Sequence, residues 1–219
     1  MADNHIYLSY FMNDQTPLYG GSKGIHVLPD RSIPAGDTAN TKILKFHNHS
    51  GTHIDFPNHF FNLGSTSEKY SAAFWTFAKP HLIVRSTDDD EIVNFTDEEL
   101  STIPEDVDFL IFKSGFGDHR SKERYWLNNP GFSPELGKVL KSRFPLLKVL
   151  GMDFISLTSY QNRELGREAH RQFLGGDKPI LLVEDMDLSL LFATPKSLNC
   201  LPLLIEGLDG SPVTIIAEI

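Results

Sequence analysis

Cysteine is nearly absent: Cys200 is the only one in 219 residues. A single thiol excludes an intrachain disulfide framework and fits a reducing compartment. It sits in the apolar run Leu198–Leu204, which reads as a buried, inert position rather than a nucleophile. No apolar run approaches the roughly 20 residues of a membrane span. The start, Met1-Ala2-Asp3-Asn4-His5, lacks both the positive and the apolar region of a secretory leader. The expected location is therefore the cytoplasm. Bases are also scarce, with 20 Lys and Arg against 29 Asp and Glu and a net charge of −9. No basic stripe is present, so neither nucleic acid nor an anionic membrane is an expected partner. Repeats, low-complexity tracts and linkers are missing too, so the expectation is one domain over residues 1–219.

What is present is histidine in one place. His49-Ser50-Gly51-Thr52-His53-Ile54-Asp55-Phe56-Pro57-Asn58-His59 holds three histidines and an aspartate in eleven residues. Imidazole and carboxylate together suit zinc, manganese or ferrous iron. The i, i+4 spacing of His49 and His53 would allow a helix, but Gly51, Thr52, Ile54 and Phe56 are poor helix formers. Pro57 also biases Phe56 toward extended geometry. A strand end running into a loop fits better, and there His53 and Asp55 share a side.

The remaining chain reads as a mixed α/β domain. Strands are expected over 6–11, 42–48, 80–85, 108–113, 146–157, 179–183, 201–206 and 213–219. Residues 30–39 read as irregular and 68–78 as weakly helical. Thr96 and Glu99 form a capping box at a helix start. Ser133-Pro134-Glu135 starts a helix running to Arg143. Residues 163–174 form an amphipathic helix stopped by Gly175-Gly176. Ser114-Gly115-Phe116-Gly117 reads as a functional loop at a strand end, and Asp209-Gly210 as a hairpin turn.

Two distant residues could complete a metal centre. His170 lies on the 163–174 helix, and Glu184 ends a buried strand where sites collect in α/β folds. Alone, neither stands out, since a helical His is usually an ordinary surface or core residue and a strand-end acid is often merely solvated. His47 reads as a supporting residue. His5, His26, His81 and His119 have no ligand-like spacing. No Gly-x-Ser-x-Gly elbow occurs, so water is the expected nucleophile. Aromatics are plentiful, with 16 Phe, 6 Tyr and 2 Trp. Tyr19, Phe60 and Phe61 flank the candidate loops and could wall a flat substrate, although most aromatics simply fill cores.

The pattern His49-x-Gly51-Thr52-His53-x-Asp55-x-Pro57-x-His59 resembles the signature of the metal-dependent cyclase and bacterial-type kynurenine formamidase family, which includes isatin hydrolases. Leu8-Ser9 with Thr16-Pro17-Leu18-Tyr19, Phe112-Lys113-Ser114-Gly115, Gly151-Met152-Asp153-Phe154-Ile155-Ser156, and His170 with Pro179-Ile180 and Glu184 resemble further family segments. Tyr19-Gly20-Gly21 departs from the Pro-Gly that many members carry after the aromatic. The resemblance implies a swivelling β/β/α fold and a homodimer or larger assembly. It implies a binuclear site, zinc first and manganese second. His49, His53 and Asp55 would hold one ion. Asp55, His170 and Glu184 would hold the other, and His59 would act as general acid and base. The implied reaction is hydrolysis of a small aromatic amide, such as N-formyl-kynurenine or a cyclic amide like isatin. The rivals are cyclisation or dehydration at the same site, and a metal-binding homologue without activity.

Overall fold

The computed structural model describes residues 4–22 and 24–219. Met1–Asp3, part of the stretch read as lacking a leader's character, and Lys23 lie outside the described residues. In chain order the strands are β1 (His5–Tyr7), β2 (Ile25–Arg31), β3 (Thr41–Phe46), β4 (His53–Asp55), β5 (Thr76–Phe77), β6 (Pro80–Val84), β7 (Ile92–Val93), β8 (Phe109–Lys113), β9 (Gly131–Phe132), β10 (Val149–Met152), β11 (Leu181–Glu184), β12 (Ser197–Pro202) and β13 (Gly210–Glu218). The α-helices are α1 (Asp97–Thr102), α2 (Arg124–Leu127), α3 (Pro134–Arg143) and α4 (Arg163–Leu174).

Nine strands form one mixed sheet in the order β5-β12-β13-β4-β11-β10-β8-β6, with β1 on β13. The half from β6 to β11 is parallel. The half from β5 to β4, including β1, is antiparallel. The short strand β4 joins them, running antiparallel to both β11 and β13. The parallel strands are apolar on both faces, as a covered parallel sheet requires: Phe109, Leu110, Ile111 and Phe112 of β8 and Leu181, Leu182 and Val183 of β11 are fully buried.

The helices start where local chemistry places them. At α1 the Glu99 amide donates to Thr96 Oγ1 at 3.2 Å and the Thr96 amide to Glu99 Oε2 at 2.7 Å, a complete capping box. At α3 the Leu136 amide donates to Ser133 Oγ at 3.1 Å, with Pro134 in the first turn. Cys200 is fully buried, and burial pushes its thiol well above the ordinary range.

Several sequence expectations are corrected. The strand expected over 42–48 is β3, which ends at Phe46 and pairs only with β2 in a separate two-stranded sheet. Residues 30 and 31, expected to be irregular, belong to β2. Val27, Leu28, Ile43 and Leu44 on this ribbon are exposed, so their apolarity did not mark a core strand. The weak helix over 68–78 is two 3-10 turns followed by β5. Tertiary packing overrides propensity there, because Tyr70, Phe74 and Trp75 interlock with Phe56 and Phe77 at centroid distances of 4.8–6.2 Å. The strand expected over 146–157 is confined to Val149–Met152, because Asp153 leaves the ladder to bind other backbone. The expected strand 201–206 is Ser197–Pro202 instead, and the last strand begins at Gly210. Pro202 pairs with Val213 across a long connection, so Asp209-Gly210 is not a two-residue hairpin turn.

Strand β9 supports the loop behind the site. The Phe132 amide donates to Leu157 O at 3.0 Å. A Cβ on Gly131 would lie 2.5 Å from Ser159 N and 2.7 Å from Leu157 O, both backbone atoms with little room to yield. Gly131→Ala is expected to cost about 1–3 kcal/mol, lowering Tm by roughly 3–10 °C in a chain of this size. Thermal unfolding of the purified variant measures this.

Candidate metal centre

The site follows from the register of β4. His53 pairs with Glu184 of β11, and Asp55 pairs with Gly210 of β13. Alternation puts His53 and Asp55 on one face, and pairing puts Glu184 beside them. On α4, His170 is fully enclosed and reaches the same point. His53, Asp55, His170 and Glu184 are between 1% and 5% exposed.

These four side chains make a closed ring of contacts. His53 Nε2 lies 3.5 Å from Asp55 Oδ1 and 3.4 Å from Glu184 Oε2. His170 Nε2 lies 3.5 Å from Asp55 Oδ2 and 3.5 Å from Glu184 Oε1. Asp55 Oδ2 is buried without a hydrogen-bond partner. Donor atoms held about 2.1 Å from a tetrahedral ion stand about 3.4 Å from one another. The observed spacings match that, and the orphaned carboxylate oxygen is the kind of atom an ion satisfies. The residues present therefore fit a divalent metal.

The surroundings orient the ring nitrogens. His53 Nδ1 lies 2.8 Å from the Gly51 carbonyl, and His170 Nδ1 lies 2.9 Å from the Gly166 carbonyl. A carbonyl only accepts, so each Nδ1 donates and each Nε2 is turned toward the carboxylates, as metal-binding histidines are usually held. Glu184 Oε1 accepts from the Leu157 amide at 2.6 Å and from Ser156 Oγ at 3.2 Å. The next residue, Asp185, is also buried and takes φ = 54°. Arg120 holds its carboxylate by two 2.7 Å bonds and Tyr125 by one of 2.6 Å, fixing the chain just past Glu184.

His49 has both ring nitrogens engaged, by Asp55 Oδ1 at 2.8 Å and by Asp209 Oδ2 at 3.0 Å. His59 Nδ1 meets the same Asp209 Oδ2 at 2.8 Å, and the His49 and His59 rings stand 4.1 Å apart. All five residues expected as ligands thus come together, with His59 at their edge. Asp209 is the functional-site residue that the sequence reading missed. Its neighbour Gly210 suggested only a turn. Its place became visible once Gly210 was seen opposite Asp55, with the Phe56 amide donating to Asp209 O at 2.9 Å.

The charges are mutually dependent. Burial alone would lower the pKa values of the histidines. The facing carboxylates outweigh it, raising His49 to about 10 and His170 to about 9, and raising His53 also. Burial would likewise raise the acids, but the imidazoles hold Asp55 well below its ordinary value and Glu184 at about 2. Asp209 is held low by its bonds to His49 and His59. Without an ion, the cluster balances its carboxylates by taking up protons on histidine.

A cavity of about 340 Å³ opens over the cluster. Tyr19 and Phe60 line it, and Phe60 stacks on the His170 ring at 4.5 Å and 18°. Phe61, expected beside them, does not. It turns into a separate depression with Leu63, Leu174 and Gly175. The Ser114–Gly117 loop does not line the cavity either. Its amides at 114 and 115 are consumed by the Asp153 carboxylate at 2.9 and 2.8 Å. His47 and His26 are exposed, and His119 pairs with Arg124 at 2.7 Å.

A buried histidine and carboxylate cluster thus lies at the seam of a large mixed sheet, in an α/β domain with the fold of the isatin hydrolases. The model of the Cyclase family matches residues 6–158, and the chain belongs to that family. Cyclase-like protein 2 of Arabidopsis thaliana is 26% identical over 98% of this chain and 79% of its own length. Cyclase-like protein 1 of the same plant is 28% identical over 95% of this chain and 82% of its own. Among solved structures, isatin hydrolase A from Labrenzia aggregata, bound to benzyl benzoate, superposes with TM-score 0.80 at 20% identity, covering 97% of this chain and 92% of that one. An isatin hydrolase bound to the product analogue thioisatinate gives 0.78 at 16% identity, covering 98% and 92%. The expected fold is therefore the observed one. No described helix is long and apolar enough to cross a membrane.

Two predictions follow from this geometry. A Cβ on Gly210 would collide with the His49 ring. Gly210→Ala is expected to displace His49 and weaken zinc affinity by roughly 10–100-fold, the scale of losing a group that orients a ligand; competition with a chromogenic chelator measures it. The second concerns pH. His170 and His49 have folded values of about 9 and 10, above the ordinary 6.5. Their contribution to the metal-free fold is complete below pH 6.5 and lost as pH rises through 9 to 10. Chelator-treated protein should show a falling Tm across that window. Metal-loaded protein should show a flatter profile.

Proposed function

We propose that this protein is a metal-dependent amidohydrolase that cleaves the C–N bond of a small aromatic amide, either an arylformamide such as N-formyl-kynurenine or a cyclic amide such as isatin. The observation that carries this reading is the His59–Asp209 pair set beside the buried ligand cluster, at the base of a cavity walled by Tyr19 and Phe60. A purely structural ion would need no such oriented base. The isatin hydrolases with the same fold support the choice of an amide.

His49, His53, Asp55, His170 and Glu184 would hold two ions per subunit, with Asp55 shared and zinc ahead of manganese. Bound there, divalent ions would lower the pKa of water from ~15.7 toward ~7 and polarise the substrate carbonyl. His59 takes the proton from the attacking water through Nε2, while Asp209 accepts from Nδ1–H and steadies the imidazolium. As the C–O bond forms and the C–N bond breaks, His59 returns that proton to the leaving amine. The products are a carboxylate and an amine. Leu157 N and Ser156 Oγ keep Glu184 aimed at the cluster throughout. Tyr19 and Phe60 hold the flat ring and keep bulk water from the reacting carbonyl. The assembly is proposed to be a homodimer.

Ring closure is the reverse of cyclic-amide hydrolysis and uses the same groups. Assaying both directions on one aromatic pair decides which the protein favours. His59→Ala should retain its metal by elemental analysis and lose hydrolysis by ~10²-fold or more. Full turnover in that variant would remove His59 from the mechanism.

A further inference from the structure

The cavity floor mixes carboxylates with histidines, and one wall carries arginine. Arg163 and Arg167 both line the cavity. They stand at i and i+4 on α4, with His170 at i+7, so the three share one helical face. Arg163 is not free to wander: its guanidinium lies over the Tyr160 ring at 3.9 Å and its Nε donates to Tyr160 O at 3.3 Å. Tyr160 in turn leans on Tyr19, with ring centroids 5.4 Å apart. Among the described residues no carboxylate comes within 4.0 Å of either guanidinium. Arg171, one turn further on, differs in pairing with Glu168 at 3.9 Å. Glu164 and Glu168 each follow an arginine directly, which turns them about 100° away around the helix.

Resting on the amide reading above, we propose that Arg163 and Arg167 are specificity-determining residues that bind a carboxylate on the substrate, so the substrate is an anionic aromatic amide. Two forked guanidinium groups one turn apart can share a single carboxylate. The chain's net charge of −9 repels anions in general, so a local cationic wall is what would admit one to this cavity. Tyr19 lines the same cavity as the two arginines and the histidine and carboxylate cluster. Its phenol is pushed up to about 12 by burial, with the charges of Arg163 and Glu184 acting on it in opposite directions.

The test compares 2-formamidobenzoate with its neutral isostere 2-formamidobenzamide, using metal-loaded wild type, Arg163→Gln, Arg167→Gln and the charge-matched surface control Lys138→Gln. The ratio of kcat/KM for carboxylate over carboxamide should fall about 5–10-fold in each arginine variant and hold in Lys138→Gln. Binding of benzoate against benzamide, measured by calorimetry on the same proteins, gives a readout without turnover. A benzoate preference that falls with the arginines, even if no amide is cleaved, supports the arginine assignment while the amide reading fails. Amide turnover with a ratio indifferent to both arginines overturns the assignment and leaves the amide reading standing. A benzoate preference that survives both substitutions places the anion on the metal and also overturns it.

Discussion

Two carboxylates, Asp55 and Glu184, are held side by side in the interior, each no more than 4% exposed. Burying one ionised acid is costly, and burying two in contact range is worse unless positive charge stands between them. Much of the structure answers that constraint. Strand β4 brings His53, α4 brings His170, and the segment before β4 brings His49. The backbone supplies Leu157 N to Glu184 and leaves one oxygen of Asp55 without a partner. Each histidine is steered by a carbonyl or a second acid, so the cluster is built for a cation to sit among fixed donors.

The constraint extends beyond the ligands. Asp185 follows Glu184 at a left-handed φ, and Arg120 and Tyr125 pin it from α2 and the turn before it. Asp209 closes the other side by holding His49 and His59 at once. These acids are spaced along the chain, yet Asp55 and Glu184 meet at one point and Asp209 joins them through His49. A net charge of −9, which the sequence distributes along acidic surface runs such as Asp88–Glu91, therefore has part of its excess gathered at one interior point.

The metal cluster was legible because its pattern is local. Three histidines and Asp55 fall within eleven residues, and a period of two already puts His53 and Asp55 on one side. Helix caps were legible for the same reason, since Thr96 with Glu99 and Ser133 with Leu136 interact over three residues. His170 and Glu184 carry no local signal, and only their likeness to a family segment raised them. Asp209 was lost because a two-residue Asp-Gly is an ordinary turn sequence; its role depends on β13 lying beside β4, which no periodicity reveals. The partner of the 42–48 strand was not legible, because nothing in the sequence marked residues 25–31 as the strand β2 it pairs with. Phe60 and Phe61 show the limit of composition: after the 3-10 turn at Pro57–His59, Phe60 borders both the cavity and the neighbouring depression, and Phe61 only the latter.

Strand β4 is only three residues long, and each of them pairs with both neighbours. Its frame therefore acts as a proofreading device. A slip of one residue would turn Ile54 to the acids and send His53 and Asp55 into the apolar layer opposite. Such a misaligned chain could neither neutralise Glu184 nor seat His49 against Gly210. An ion held among these donors would therefore favour the correctly threaded chain over a misaligned one.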